Sequence, residues 1–320
     1  MNKNSPARVC VVIPCYNEEE ALPITAKTLD KFFDSMVKDG LFAPDSRMLL
    51  VDDGSRDKTW RVIENLVNAS ERFEGLKLAH NAGHQNALWA GMTIAAENAD
   101  AVISIDADLQ DDVNAMRGFM KEFYGGADIV YGVRSKRDTD TLFKRMTAEM
   151  FYKSMAKMGV ETVFNHADYR LISKRALKEL LNYPEVNLFL RGMVPTLGYK
   201  TEKVYYERSE RTAGESKYPL KKMLAFAFQG VTSFSVKPIR MISLLGVIFA
   251  LAAVGIGIYA LISLIAGRAV PGWTSTMLSI WLIGGVQLIA LGLIGEYIGK
   301  IYTEVKRRPR FIVEEHLTHK

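Results

Sequence analysis

The chain has 320 residues, 48% of them hydrophobic, and 41 Lys and Arg residues stand against 36 Asp and Glu residues. The resulting net charge of +5 is too small to indicate a nucleic-acid-binding protein. Its two cysteines, Cys10 and Cys15, lie on one predicted strand about 16 Å apart, which excludes a disulfide bond between them. The first residues show no apolar signal-peptide core, so we expect a domain suited to a reducing cytosol.

Short apolar strands alternate with helices in the first 134 residues. The predicted strands cover 8–14, 47–51, 77–80, 101–105 and 129–133, and the predicted helices cover 19–38, 58–70, 82–98 and 113–125. Such alternation is typical of a parallel sheet with helices on both faces. The predicted fold class is therefore α/β.

After residue 134 the pattern becomes helical and polar. An amphipathic helix is predicted over 142–158 and a polar helix over 174–181. A polar loop over 208–218 and an amphipathic segment over 219–235 follow. We interpret the helix over 142–158 as packing against the α/β domain.

Two segments without charged residues, 242–266 and 273–295, come next. Each is long enough to cross the hydrocarbon core of a membrane as a helix. Basic residues precede the first segment and follow the second, whereas the short connection holds only Arg268, so the positive-inside rule predicts cytosolic chain ends. The predicted parts are a cytosolic domain over 1–218, an amphipathic juxtamembrane segment over 219–238, two membrane helices within 239–299 and a basic cytosolic tail over 300–320.

Polar residues follow four of the predicted strands, at the point where each strand ends. The carboxyl ends of parallel strands meet at one edge of a sheet, and ligands bind at that edge in open α/β folds. We therefore predict a nucleotide pocket there. The residues concerned are Pro14, Tyr16, Asn17, Glu18, Asp52, Asp53, Asn81, Gly83, Asp106, Asp108 and Gln110.

Asp106 and Asp108 form the central pair of this set. Because only Ala107 separates them, both side chains lie on the same side of an extended chain. A hard cation such as Mg²⁺ or Mn²⁺, bound also to a diphosphate, would relieve their repulsion. Two solvated acids after a strand are the simpler interpretation, but the four converging polar strand ends favour a metal.

Asp52, Asp53 and Asp168 are candidates for contacts with substrates. Asp52 or Asp53 can accept hydrogen bonds from a nucleobase imide or a ribose hydroxyl, although Asp-Asp-Gly-Ser also forms a plain turn and helix cap. Asp168 can orient or deprotonate an acceptor molecule. Pairing with Arg170 is the simpler role for Asp168.

The loop over 208–218 lies just before the first apolar segment. A run of solvated charges is the ordinary interpretation of such a loop. The spacing of its cations and its place beside a membrane instead favour binding of a lipid phosphate. The candidate residues are Arg208, Arg211, Ser216 and Lys217.

These motifs occur in the order seen in family 2 inverting glycosyltransferases. The chain most closely resembles the polyprenyl-phosphate (bactoprenol) branch, which is related to dolichyl-phosphate mannose synthase. The resemblance covers nearly the whole chain, including both apolar segments. The motifs are Pro14-x-Tyr-Asn-Glu18, Asp52-Asp-Gly-Ser55, Asn81-x-Gly83, Asp106-x-Asp108-Leu-Gln110, Asp168-x-Arg-Leu171 and Arg208-x-x-Arg211-x-x-Gly214-x-Ser-Lys217.

The resemblance implies a GT-A fold, a nucleotide-sugar donor that is usually UDP-linked, and Mg²⁺ or Mn²⁺ at Asp108 with Asp106. It implies transfer of one hexose or N-acetylhexosamine, from UDP-glucose or a UDP-N-acetylhexosamine, to undecaprenyl phosphate with inversion at the anomeric carbon. Asp168 then matches the acceptor-side aspartate, and the basic loop matches the loop that engages the acceptor phosphate. Relatives in this branch reside in the bacterial cytoplasmic membrane and are often homo-oligomers, some of them tetramers.

The sequence departs from the pattern of the processive polysaccharide synthases. Ala167 stands where those enzymes carry an acid, and Gln-x-x-Arg-Trp does not occur, so we expect transfer of single sugars. A GDP-mannose donor stays open. So do transfer to a non-phosphate lipid such as diacylglycerol and the function of a catalytically silent scaffold that binds nucleotide sugars.

Overall fold

The computed structural model describes residues 5–135, 166–207, 237–266 and 272–319. The chain divides into two compact units. One unit contains the N-terminal α/β domain together with the segment Arg308–Lys320, and the other contains two long apolar helices. The last residues of the chain therefore belong to the α/β unit.

Eight strands and six helices form the described part of the α/β unit. The strands are β1 (Val9–Cys15), β2 (Arg47–Asp52), β3 (Phe73–Leu78), β4 (Ala101–Ser104), β5 (Ile129–Arg134), β6 (His166–Ser173), β7 (Thr201–Tyr206) and β8 (Val313–Leu317). The helices are α1 (Leu22–Lys38), α2 (Thr59–Ala69), α3 (His84–Asn98), α4 (Ala115–Tyr124), α5 (Lys174–Leu181) and α6 (Leu190–Thr196). Strands and helices alternate from β1 to β5, as the sequence predicts.

All eight strands form one sheet in the order β7-β5-β6-β4-β1-β2-β3-β8. The pairs β1–β2, β1–β4, β2–β3 and β5–β7 are parallel, whereas β6 and β8 run antiparallel to their neighbours. Strands β1 and β2 are buried on both faces, which explains their nearly continuous apolar sequences. The predicted GT-A class, an α/β fold with a mostly parallel sheet, is confirmed.

The structure differs from the sequence prediction at three strands. The third strand begins at Phe73 rather than at residue 77, because Glu74 and Lys77 interrupt its apolar pattern. The segment around Asp168 forms β6 in the middle of the sheet. The residues 313–317, predicted to lie in a basic tail, instead form β8 and pair with β3.

Helix α3 lies close against the sheet because Gly91 has no side chain. A Cβ atom at this position would lie 2.4 Å from Val12 Cγ1 and 2.8 Å from Val51 Cγ2. This close approach fixes the helix across β1 and β2. The first residue of α3, His84, is thereby held near the carboxyl edge of the sheet.

An ion pair at the start of β5, between the buried Asp128 and the exposed Arg175, provides a test of stability. Asp128 accepts hydrogen bonds from Ser173 Oγ and from the guanidinium of Arg175. Burial opposes ionisation of Asp128, but these donors hold its pKa below the ordinary value. The carboxylate therefore stabilises the fold above its unfolded-state pKa of about 4, and that contribution disappears as the pH falls through the lower folded-state pKa.

We expect Asp128→Asn to lower the free energy of unfolding by about 1 kcal/mol at pH 7, because the buried side chain loses its charge-assisted hydrogen bonds from Arg175 and Ser173. The difference from the wild type should shrink as the pH falls toward 3. Denaturant unfolding of the detergent-solubilised protein at several pH values measures this difference in the free energy of unfolding. An equal difference at all pH values would contradict this account.

The second unit holds α7 (Lys237–Ile265) and α8 (Trp273–Lys306). Their most apolar stretches, Lys237–Ile256 and Leu282–Lys306, have mean hydropathies of 2.3 and 1.6. A core helix of a soluble protein would bury such residues, but Leu251 and Leu288 are 68% and 72% exposed. Both helices are long and apolar enough to cross a membrane, in agreement with the two predicted spans.

Candidate active site at the carboxyl edge of the sheet

The loops that follow β1 and β2 are joined by hydrogen bonds. Asn17 N donates to Ser55 Oγ at 3.0 Å, and Asn17 Oδ1 accepts from Arg56 N at 2.9 Å. Glu18 N donates to Thr59 Oγ1 at 2.8 Å. Asn17 adopts a φ of 54°, a left-handed conformation that asparagine tolerates. Two of the predicted motifs therefore form one connected surface.

The two aspartates at the end of β2 have different surroundings. Asp53 Oδ1 accepts from Ala82 N at 2.7 Å and its Oδ2 from Gly83 N at 3.0 Å, which anchors the loop before α3. Asp52 Oδ1 accepts from Ser55 N, but its buried Oδ2 has no hydrogen-bond partner among the described residues. Burial raises the pKa of both carboxyl groups. Asp52 is therefore the one of the two with an oxygen that a ligand can use.

Gly54 allows the β2 and β3 loops to touch. Its φ is +65°, and a Cβ atom there would lie 2.5 Å from Asn81 N and 2.6 Å from the carbonyl carbon of His80. Any other residue would combine a left-handed backbone with a backbone clash. The packing of the two loops thus requires glycine.

We expect Gly54→Ala to lower the free energy of unfolding by about 3 kcal/mol, since the loop around Asn81 must move, and to weaken nucleotide binding. Gly40→Ala is the matched control, because Gly40 has a similar φ of +69° but nothing within 4 Å of its added Cβ. That variant should lose only about 1 kcal/mol and bind nucleotide normally. Denaturant unfolding and calorimetry measure both, and equal losses in the two variants would contradict the clash.

Strands β4 and β6 bring two carboxylates together. Their antiparallel pairing sets Ser104 opposite Arg170, and the chain that continues from β4 reaches Asp106 beside Asp168. His84 Nε2 lies 3.7 Å from Asp106 Oδ1 and 3.8 Å from Asp168 Oδ2. Three separate elements therefore place two acids around one imidazole.

Asp168 is held by two arginines. Arg170 Nη2 donates to Asp168 Oδ1, while Arg191 Nε and Nη2 donate to Oδ1 and Oδ2 at 3.3 and 3.2 Å. Burial by itself would raise the pKa of Asp168, but the two arginines and His84 bring it well below its ordinary value. Arg170 is only 2% exposed, and burial lowers its pKa. Asp168 is therefore an ionised carboxylate at neutral pH.

The segment after Asp106 has a fixed and unusual backbone. Leu109 adopts a φ of 49°, which is uncommon for leucine and typical of strained functional loops. Asp108 Oδ1 accepts from Gln110 N at 3.2 Å. The buried Asp111 accepts from Tyr206 Oη at 2.7 Å and from an arginine at the end of β5. The chain on both sides of Asp108 is thus tied to the sheet.

The acidic side chains at this edge fit a cation that arrives with its ligand. Burial raises the pKa of Asp106, His84 opposes this shift, and neighbouring carboxylates, Asp168 foremost, add to it. Among the described residues, no group of three His, Cys, Asp or Glu side chains could hold a metal by itself. A pair of carboxylates completed by substrate phosphates and water is the usual set for Mg²⁺. Asp106 and Asp108 could supply such a pair.

Most of the predicted pocket residues lie on the loops that follow β1, β2, β3 and β4. Tyr16 and Asn81 are exposed there, whereas Pro14 and Gln110 are buried. The candidate phosphate-binding residues Arg208, Arg211, Ser216 and Lys217 lie outside the described residues. So do the helix predicted over 142–158 and the amphipathic segment predicted over 219–235.

Two residues of the site, His84 and Arg191, had no role predicted from the sequence. His84 directly follows the Asn81-x-Gly83 motif, and its position at the start of α3 could have indicated a pocket residue. Arg191 lies in the otherwise apolar stretch Leu188–Met193. A single cation in such a stretch indicates a buried or half-buried partner of opposite charge.

Comparison with known proteins matches two families. Residues 10–181 match Glycosyl transferase family 2, and residues 237–301 match the GtrB C-terminal hairpin. The chain is 52% identical over 313 residues to the uncharacterized glycosyltransferase YkoT of Bacillus subtilis, which covers 98% of this chain and 93% of that protein. It is 38% identical over 310 residues to the SfII prophage-derived bactoprenol glucosyl transferase of Shigella flexneri, covering 96% of this chain and 98% of that protein.

The fold and the acidic strand ends, together with these matches, define the class of protein. It is a glycosyltransferase whose α/β domain precedes two apolar helices. The chain belongs to glycosyl transferase family 2, and its two apolar helices lie in the matched C-terminal hairpin.

Proposed function

We propose that this glycosyltransferase moves a single hexose or N-acetylhexosamine from a UDP-linked donor to undecaprenyl phosphate. One observation carries the proposal: Asp106 and Asp168 both lie beside His84. Asp106 closely precedes Asp108, the proposed metal ligand on the donor side, and Asp168 is the proposed residue on the acceptor side. The similarity to a bactoprenol glucosyl transferase over 96% of the chain supports the lipid acceptor.

The donor would bind across the ends of β1, β2 and β4. Asp52 Oδ2 is buried and has no hydrogen-bond partner among the described residues. It would accept a hydrogen bond from the uracil imide or a ribose hydroxyl, as buried polar atoms require. Asp53 would act indirectly, because it already fixes the loop at Ala82 and Gly83. The diphosphate would lie toward Asp108.

Asp108 and Asp106 would hold Mg²⁺ or Mn²⁺ together with the donor diphosphate. Such an ion, when bound, neutralises charge on the leaving diphosphate. The left-handed backbone at Leu109 and the hydrogen bond from Gln110 N orient the Asp108 carboxylate within this loop.

The acceptor phosphate would react from the side of Asp168. One phosphate oxygen forms a bond to the anomeric carbon while the bond from that carbon to the diphosphate breaks, which inverts the configuration. A phosphate monoester with a second pKa near 6 is already ionised at neutral pH, so it needs no strong base. Asp168, whose pKa is lowered, would orient the acceptor through Arg191 and His84. The loop with Arg208, Arg211, Ser216 and Lys217 would bind the same phosphate.

The proposal extends to the cellular setting, for which the two apolar helices are the support. We place the protein in the bacterial cytoplasmic membrane, with the α/β unit and both chain ends on the cytosolic side and a homo-oligomer, such as a tetramer, as its assembled form. Labelling of single introduced cysteines near each end in intact cells tests the sidedness, and light scattering of the detergent complex tests the assembly.

The decisive experiment incubates the purified protein with undecaprenyl phosphate and a panel of labelled nucleotide sugars, including UDP-glucose, UDP-N-acetylglucosamine and GDP-mannose. We expect label in the lipid fraction for one UDP-sugar, with Mg²⁺ or Mn²⁺ and not with a chelator. Diacylglycerol replaces the lipid phosphate in a parallel reaction. Transfer to diacylglycerol, or nucleotide binding without any transfer, would overturn the proposal in favour of the alternative acceptor or of a scaffold.

A further inference from the structure

The segment after the apolar helices packs onto the α/β unit through β8 and the residues just before it. Ala79 N donates to Ile312 O at 2.9 Å, and Lys77 Nζ lies 3.0 Å from Glu314 Oε1. Strand β8 therefore covers the edge of β3. This contact places Arg310 within reach of α3 and of the loop before α6.

Arg310 contacts both α3 and the loop before α6. Its guanidinium carbon lies 4.3 Å from the centroid of the buried Trp89 ring of α3. Its Nη2 donates to Tyr183 O at 2.6 Å, and its Nε donates to Glu185 O at 2.9 Å. One planar cation thus joins a helix face to two carbonyls of the loop, a use for which arginine is better suited than lysine.

The loop that Arg310 holds leads directly to the residues around Asp168. Gln85 Oε1 accepts from Leu190 N at 2.9 Å, and Arg170 Nη1 donates to Leu190 O at 3.4 Å. The next residue, Arg191, donates to both oxygens of Asp168. The loop over 183–189 is therefore fixed by Arg310 at one end and continues into the arginine cluster at the other.

We propose that Arg310 is a positioning residue for the transfer reaction, acting through the loop over 183–189 to set Arg191 against Asp168. Only the kinetic part of this proposal rests on the function proposed above. A residue encoded after both apolar helices thereby helps to build the acceptor side of the site. Without Arg310 the loop keeps its chain connections but loses the cation that pins two of its carbonyls.

The test uses the full-length protein in detergent with Arg310→Ala, Arg310→Lys and the control Arg308→Ala, which removes an exposed arginine from the same segment. We expect about a tenfold lower kcat for Arg310→Ala, with the Kd for UDP within twofold of the wild type. Arg310→Lys should recover part of kcat, because lysine keeps a cation over Trp89 but cannot donate to both backbone carbonyls in the geometry of the guanidinium. Arg308→Ala should match the wild type.

A double-mutant cycle with Arg191→Lys tests whether Arg310 acts on the reaction through Arg191. If Arg310 acts through Arg191, adding Arg310→Ala to Arg191→Lys should lower kcat by less than twofold further. Fully multiplicative losses would overturn the proposal, as would parallel losses in kcat and UDP affinity, which would indicate general loss of structure. Arg310→Lys keeps the kinetic question answerable should Arg310→Ala fail to fold.

Hydrogen exchange separates this proposal from the proposed function. The amides of Leu190, Gly192 and Met193 are hydrogen-bonded and should exchange about tenfold faster in Arg310→Ala but not in Arg308→Ala. That result needs no substrate, so it holds even if the wild type transfers no sugar. Unchanged exchange in Arg310→Ala would overturn the positioning role by itself.

Discussion

Replacing Asp108 with asparagine is expected to lower kcat for sugar transfer by about 10³-fold. The substitution removes one negative charge and leaves the local structure intact, because asparagine can still accept the hydrogen bond that Gln110 N donates to Oδ1 at 3.2 Å. Under the proposed function, the variant loses the binding of the metal–diphosphate unit. Steady-state transfer in detergent, with saturating metal and donor, measures the effect.

Two further measurements connect the loss to the metal. Calorimetry should show that Mg²⁺ or Mn²⁺ strengthens UDP binding to the wild type but no longer to Asp108→Asn. Asp112→Asn is the matched control, because Asp112 is an acid of the same loop whose Oδ1 accepts from Asn114 N at 2.9 Å. It should keep wild-type kcat. A kcat above one tenth of the wild type in Asp108→Asn would exclude Asp108 as a ligand that the reaction requires.

The carboxyl edge of the sheet was predictable because it depends on local patterns. Strands β1, β2 and β4 are apolar runs that end in polar residues, and parallel connection brings their ends together. In the observed register, Cys15 at the end of β1 pairs with Asp52 at the end of β2, so the polar residues that follow both strands begin at the same level. Physical rules for strands were therefore enough to bring the proposed donor-binding residues to one edge of the sheet.

The acceptor side was less predictable because it depends on contacts between distant segments. Asp168 and Arg170 interrupt the apolar pattern of β6. Their mutual pairing was predicted and is confirmed, but the second arginine on Asp168, Arg191, lies on a distant segment and becomes visible only in the folded structure. Strand β8 carries Glu314, Glu315 and His316, so its sequence has no strand pattern until it pairs with β3. Non-local pairing of polar strands leaves little periodic signal.

Asp168→Asn should affect both the stability and the activity of the protein. The change leaves Arg170, which is 2% exposed, without its anionic partner, and we expect a loss of about 3 kcal/mol in the free energy of unfolding. The same change should lower kcat by about 10²- to 10³-fold, since Arg191 and His84 would no longer be held around a negative charge. Denaturant unfolding and transfer kinetics on one preparation give both numbers.

Asp128→Asn supplies the matched control for the loss of a buried carboxylate. Asp128 is also paired with an arginine, but it lies away from the carboxyl edge of the sheet. It should lose stability and keep kcat. If both variants lose activity to the same degree, the kinetic effect of Asp168→Asn would be a consequence of instability alone.

The pH dependence of Asp168→Asn separates the two roles that Asp168 can have. If Asp168 orients an acceptor phosphate that is already ionised, log kcat of the variant should run parallel to that of the wild type between about pH 6.5 and 8.5. If Asp168 instead removes a proton, solvent must do so in the variant, and its kcat should rise with pH toward that of the wild type. The arginines lower the pKa of Asp168 and so make it a weak base, which is why we expect parallel profiles.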